Sequence, residues 1–226
     1  MTSAAPDRVP PDWPHRSHSR AVRTGRIDWH VQVAGRGPTL LLLHGTGASA
    51  HSWAGLLPAL AEVATVVAPD LPGHGYTVGA TPADLSLPRI AVALDGLLAA
   101  LALPPPALVV GHSAGAALAL RWALGHPPPL RPRALLGFNP SLVAPPAFYT
   151  QWLAPLVNPV ATSGPVAALL AAVGARSQLV DALLDSTGST LPAAQRALYT
   201  RLFGRSEHVR GSMGFMAAAD LPALLQ

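Results

Sequence analysis

Ala107-Leu108-Val109-Val110-Gly111-His112-Ser113-Ala114-Gly115-Ala116 is the stretch on which the fold turns. Its first four residues are apolar and include a β-branched pair, as a strand buried on both faces requires. Gly111 to Gly115 match Gly-x-Ser-x-Gly, and Ala114 to Leu124 reads as a helix ended by Gly125. Strand, sharp turn and helix in that order is the context in which this motif lifts a serine hydroxyl above the end of a sheet. A side chain at Gly111 or Gly115 would strike the neighbouring helix or strand. The helix that begins at Ala114 aims its positive end at the same place, which favours an oxyanion. Ser113 is therefore the candidate nucleophile. The competing reading, an incidental serine in a glycine-rich turn, is disfavoured by the strand before it and the helix after it.

Working outward, Thr39 to Leu43 is a continuous apolar run between Pro38 and His44-Gly45, and it suits a second doubly buried strand. Trp53, Leu56, Leu57 and Leu60 have helical spacing, with Ser52 as a cap and Pro58 imposing a kink or a late start. Thr65–Ala68 is a strand, Ile90, Leu94, Leu97, Leu98 and Leu101 form one helical stripe, and Ala134–Gly137 is a further strand. Upstream, Arg20–Arg23 and Ile27–Val33 read as a pair of strands turning at Gly25. From residue 39 to 137 strands and helices alternate, which predicts an open parallel sheet with helices on its faces. Ligands in such sheets bind beyond the carboxyl ends of the strands. Residues 1–18 read as an irregular arm, 19–139 as the core, 140–220 as a helical cap, and 221–226 as the start of further core.

Composition narrows the function classes. Half of the 226 residues are apolar and 12% are charged, so the body is not a solvated disordered polymer. Pro (25) and Gly (20) divide the apolar content into short segments, and none reaches the roughly 18–20 residues of a membrane span. Without cysteine there are no disulfides, thiolate zinc sites or cysteine nucleophiles. The polar, Pro-rich start has no secretory core, so a cytoplasmic location is expected. The fifteen basic residues are all arginine and are scattered along the chain, with a net charge of only +4, which argues against nucleic-acid binding. No cofactor or metal motif is present: His15, His18 and His30 lack carboxylates at ligand spacing.

Two loops complete the candidate site. His44-Gly45-Thr46-Gly47 follows a strand end, and the oxyanion hole of this design takes one amide from the residue after the nucleophile, Ala114, and one from this loop, Thr46. His44 is read as a structural hydrogen-bonding residue. Asp70-Leu71-Pro72-Gly73-His74-Gly75 is read as a turn, because Asp70 precedes the serine where a triad acid should follow it.

These pieces at this spacing resemble the α/β-hydrolase superfamily over residues 20–137. Within it, Asp12-Trp13-Pro14-His15-Arg16, Trp29-His30-Val31-Gln32, His51-Ser52-Trp53, Thr187-Gly188-Ser189, Leu198-Tyr199, His208-Val209, Met216-Ala217 and Asp220-Leu221 are similar to the magnesium-chelatase accessory family of bacteriochlorophyll biosynthesis. The resemblance implies an α/β-hydrolase fold with a mostly parallel sheet, flanking helices and a helical cap. It also implies a link to magnesium insertion into protoporphyrin, with association with the chelatase and a porphyrin or apolar ester as substrate.

A serine nucleophile needs a base, and the base needs an acid to orient it. Downstream of Ser113 stand His126 and His208, with Asp181, Asp185, Glu207 and Asp220. In the superfamily the acid and the histidine follow two strands beyond the cap, and neither strand is legible here. Two readings compete: Asp181 or Asp185 with His208 forms an improvised triad, or the sequence is a fragment ending before the last two strands. The second is favoured, and such a chain is expected to be nearly inactive, with Ala134–Gly137 as an open edge that invites aggregation. Phe148, Tyr149, Trp152, Leu156, Phe203, Met213, Phe215 and Met216 are read as the cap's own core, or else as the wall of an apolar pocket. The leading function is ester or amide hydrolysis through Ser113, with the Thr46 and Ala114 amides as oxyanion donors. The alternative is a non-enzymatic accessory protein that holds a porphyrin or contacts the chelatase.

Overall fold

A computed structural model of the 226-residue chain describes residues 2–3, 7–143, 160, 162–188, 190–218 and 221–224. Seven strands form one sheet: β1 (Thr2–Ser3), β2 (Ser19–Thr24), β3 (Ile27–Ala34), β4 (Thr39–Leu43), β5 (Thr65–Pro69), β6 (Leu108–His112) and β7 (Ala134–Phe138), in the spatial order β1-β2-β3-β5-β4-β6-β7. β2 and β3 form the expected hairpin, and β3 pairs antiparallel with β5. From β5 onward every pairing is parallel, as the alternation of strands and helices predicts. The strand expectations hold to within two residues at each end. β1 is an addition that two polar residues do not announce.

Helices follow the apolar spacing. α1 is Leu57–Ala61, α2 Leu87–Ala100 and α3 Ala114–Leu124. The late start expected at Pro58 is observed: a 3-10 turn at Ala50–Trp53 comes first, and Ser49 rather than Ser52 caps it by accepting the His51 N–H. Ile90, Leu94 and Leu97 of α2 are fully buried against the sheet, together with Val109, Leu118 and Trp122. The opposite face of the sheet packs Leu40, Leu42, Val66 and Val110 on Trp53. β4 and β5 are buried nearly throughout. β7 lies at the edge of the sheet and all five of its residues are exposed.

The cap comprises α4 (Gly164–Gly174), α5 (Ser177–Ser186), α6 (Ala193–Phe203) and α7 (Ser206–Ala218), followed by a short α8 (Leu221–Leu224). α7 is an addition: it has glycines at 211 and 214 and no long apolar stripe to announce it. They are used for contact, since a Cβ on Gly211 would run into the backbone of Gly73. Phe203 and Met213 pack with Ala167, Ala171 and Val209 in the cap's own small core, whereas Phe215 joins the main core and Met216 is exposed. Phe148, Tyr149, Trp152, Leu156, Ser189 and Asp220 lie outside the described residues.

The N-terminal arm is more than a tail. Val9 and Trp13 are buried with Tyr76 and Leu202, so the arm is wedged between the core and α6. The Trp13 ring meets Tyr76 edge-on at 4.9 Å, and Asp12 takes both guanidinium N–H groups of Arg201 at 2.8 and 2.9 Å. Among the described residues no single helix is long and apolar enough to cross a membrane.

Candidate active site

β6 ends at His112 and α3 begins at Ala114, so the whole reversal falls on Ser113, with φ 53° and ψ −121°. A non-glycine residue there is strained by on the order of 1–3 kcal/mol and persists only when its surroundings hold it. They do so at both peptide groups. The Ser113 N–H donates to the Phe138 carbonyl at 3.0 Å, and the Ser113 carbonyl accepts from Ala116 at 3.0 Å and Ser141 at 3.1 Å. The flanking glycines allow the bend. A Cβ on Gly111 would run into the Ala116 backbone, and one on Gly115 into the carbonyls of Leu43 and His44.

The loop after β4 lies directly against the serine. A Cβ on Gly45 would sit 3.0 Å from the Ser113 Cβ and 3.2 Å from His112 Nδ1. Residues 45–48 form a turn closed by the Ala48 N–H on the Gly45 carbonyl at 3.2 Å, with Gly47 at φ 73°. Among the described residues neither the Thr46 amide nor the Ala114 amide has a hydrogen-bond acceptor. Both residues are partly exposed, as is Ser113. The Ala114 amide directly follows a serine on a forced bend, and the loop that carries the Thr46 amide packs against that serine through Gly45.

His44 is structural, as expected from its position. Its Nε2 accepts the Leu71 N–H at 2.9 Å, which leaves the proton on Nδ1 to donate to the Gly45 carbonyl at 2.8 Å. Burial, reinforced by the neighbouring His74, pushes its pKa down to about 3, so it is neutral. Asp70 is also structural, but the turn reading understates it. The carboxylate is fully buried and accepts from His30 Nδ1 at 2.7 Å, the Tyr76 N–H at 2.7 Å and the Ala50 N–H at 2.8 Å. Burial alone would raise its pKa; His30, His44 and the Ala50 amide outweigh that and hold it well below the usual carboxylate range. His30, which has no carboxylate at ligand spacing in the sequence, meets the Asp70 carboxylate from forty residues away. The signal was a histidine inside the otherwise apolar Trp29-His30-Val31.

The improvised triad is overturned. Asp181 and Asp185 both bind Arg196, at 3.3 and 2.6 Å. His208 is 1% exposed and both its ring nitrogens are engaged by backbone: Nδ1 accepts from Gly75 at 3.0 Å and Nε2 pairs with the Gly47 carbonyl at 3.2 Å. His126 pairs with Asp95 at 3.2 Å beyond the far end of α3, roughly 16 Å of helix from Ser113. Each of these four side chains is committed to a partner other than Ser113. A cavity of about 280 Å³ opens between the 73–85 loop and α7, lined in part by Thr77, Leu85, Glu207 and Arg210. Ser113 does not line it.

A family model described as the alpha/beta hydrolase fold matches residues 38–196. The chain is 39% identical over 227 residues to the magnesium-chelatase 30 kDa subunit of Rhodobacter capsulatus, covering 97% of this chain and 76% of that one. It is 34% identical to the pimeloyl-acyl-carrier-protein methyl ester esterase of Chromobacterium violaceum, across 86% of this chain and 72% of the relative. It is 41% identical over 105 residues to human protein phosphatase methylesterase 1, which is 44% of this chain and 27% of that protein. Among solved structures, ALR0039 from Nostoc sp PCC 7120 superposes with a TM-score of 0.71 at 25% identity, over 88% of this chain and 71% of that one. A strained serine at the end of β6, on this strand order and with these relatives, belongs to a chain of the α/β-hydrolase fold family.

Proposed function

We propose that the protein of which these residues form part cleaves a carboxylic ester through Ser113, with the Thr46 and Ala114 amides stabilising the oxyanion. What supports this reading is the strained bend at Ser113, with Gly45 packed against it and with the Thr46 and Ala114 amides lacking acceptors among the described residues. Open donors that meet no charge in the resting protein are what a tetrahedral intermediate requires, and removing one such donor costs about 10²–10³ in turnover in a well-studied hydrolase. Ester rather than amide substrates are favoured because relatives from two organisms are named as methyl ester esterase and methylesterase. The similarity to a magnesium-chelatase subunit over nearly the whole chain supports a tetrapyrrole or other bulky apolar ester as substrate, chelatase association and a cytoplasmic location.

That same similarity favours a second reading, in which the fold holds a porphyrin or contacts the chelatase without turnover. A fluorophosphonate probe applied to the full natural protein separates the two. Labelling that disappears in Ser113→Ala while the fold is retained supports hydrolysis. A folded wild type that remains unlabelled removes the hydrolase reading and leaves the binder.

A further inference from the structure

We propose that His208 is a positioning residue that makes the oxyanion loop depend on seating of the cap helix α7. The inference rests on the hydrolase reading above and deepens it. Nδ1 of His208 accepts the Gly75 N–H at 3.0 Å, so the ring proton resides on Nε2 and is donated to the Gly47 carbonyl at 3.2 Å. One neutral imidazole therefore joins the loop after β4, the loop after β5 and α7.

The Gly47 carbonyl is a consequential atom to hold. The peptide between Gly47 and Ala48 is gripped at both ends, by His208 on its carbonyl and by the Gly45 carbonyl on its N–H at 3.2 Å. That peptide closes the four-residue turn whose second residue is Thr46. Gly47 sits at φ 73°, a conformation a glycine can leave at little cost, so the turn has no stiffness of its own at this point. The cap restrains it twice, through His208 and through the Phe203 ring, which lies 3.1 Å from where a Gly47 Cβ would be. Ring contacts from His74 at 5.8 Å and Phe203 at 5.4 Å fix the imidazole plane. Burial pushes the His208 pKa down, and His74 and His44 add to the shift, which keeps the ring in the accepting and donating form that the bridge needs. A histidine with both nitrogens spent on backbone has no capacity left for proton transfer. Its role is to hold Thr46 where the amide can serve.

The test uses the full natural protein and two readouts. The first is fluorophosphonate labelling, resolved into a maximal rate and a half-saturating concentration. His208→Leu fills the space without either hydrogen bond and should lower the maximal rate about 10–100-fold, as expected for a misplaced oxyanion donor, with half-saturation changed less than about threefold. His208→Gln, whose amide can both accept and donate, should restore most of that loss. A folded His208→Leu protein that labels at the wild-type maximal rate overturns the proposal, and so does equal impairment of Leu and Gln. Should the leucine variant not fold, His208→Asn replaces it: its amide is too short to span both partners, and full-rate labelling would overturn the proposal equally. The second readout is hydrogen exchange at the Ala48 amide, expected to speed up in His208→Leu. Unchanged protection there defeats the positioning claim even if the wild type never labels, whereas loss of labelling in the wild type alone defeats only the hydrolase reading.

Discussion

Ser113 carries a conformational cost that its hydroxyl does not need for folding. Replacing it by glycine removes the positive-φ strain, whereas replacing it by alanine does not. Because glycine also adds unfolded-state entropy, the expected net difference is about 1 kcal/mol in favour of Ser113→Gly over Ser113→Ala, read from urea midpoints. Equal midpoints would mean the bend is not strained. Asp70 presents the opposite case, a buried charge satisfied on every side. Asp70→Asn keeps the shape but turns one acceptor into a donor facing the Tyr76 N–H and His30, and should cost about 2–4 kcal/mol. A loss under about 1 kcal/mol would show the carboxylate to be dispensable. The strand–bend–helix at Ser113 was legible because its motif is local: five consecutive residues and their flanks suffice to read it. The bonding partners of His208 and Asp70 were not legible, for the converse reason. Their partners, Gly47, Gly75 and His30, are 161, 133 and 40 residues distant, and no pattern in one sequence announces such meetings.

Between elements, the contact of α7 and α6 with the two site loops is built on neutral imidazoles. Burial holds His44 at about 3 and both His51 and His74 at about 4, while in the unfolded chain each titrates near 6.5. A group whose folded pKa is depressed contributes stability that is complete above its unfolded value and lost as pH falls. The unfolded chain then binds more protons than the native one, so unfolding free energy should decline from pH 6.5 toward pH 4. The slope is at most about 1.4 kcal/mol per pH unit for each histidine. Urea midpoints that stay flat between pH 6.5 and 4.5 would refute this. The arm between core and α6 gives a second comparison. Asp12 and Arg201 form a well-aligned but exposed pair, and Asp12→Ala should leave the urea midpoint nearly unchanged. Trp13 is 2% exposed, and Trp13→Ala should cost about 3–5 kcal/mol in the same denaturation experiment. The reverse ranking would mean charge rather than packing fastens the arm. Helices α2 and α3 were legible to within a residue or two because their apolar stripes are long; α7 was not, because small residues replace large ones where it touches Gly73 and Leu85.

At the scale of the whole molecule, the sheet ends in a two-residue strand at one edge and in the longer β7 at the other. β7 presents Leu135, Leu136 and Phe138 at 41–47% exposure along an unpaired edge among the described residues. A polypeptide of only these 226 residues should therefore self-associate, and Leu136→Lys should lower its light scattering at equal concentration. Scattering unaffected by the lysine would locate the adhesive surface elsewhere. The alternation of strands and helices made the parallel half of the sheet readable in advance, since each strand announces itself as a short apolar run. The arm was not readable, because turn-forming residues conceal two buried anchors. Its placement has a practical side for anyone recombining parts of such proteins. Trp13 stands against Tyr76 of the core while Asp12 grasps Arg201 of the cap, so the three regions share a keystone drawn from the first fifteen residues. A chimera that imports a foreign cap, or an expression plasmid trimmed at the start codon side, would pull that keystone and leave the roof loose above an intact serine.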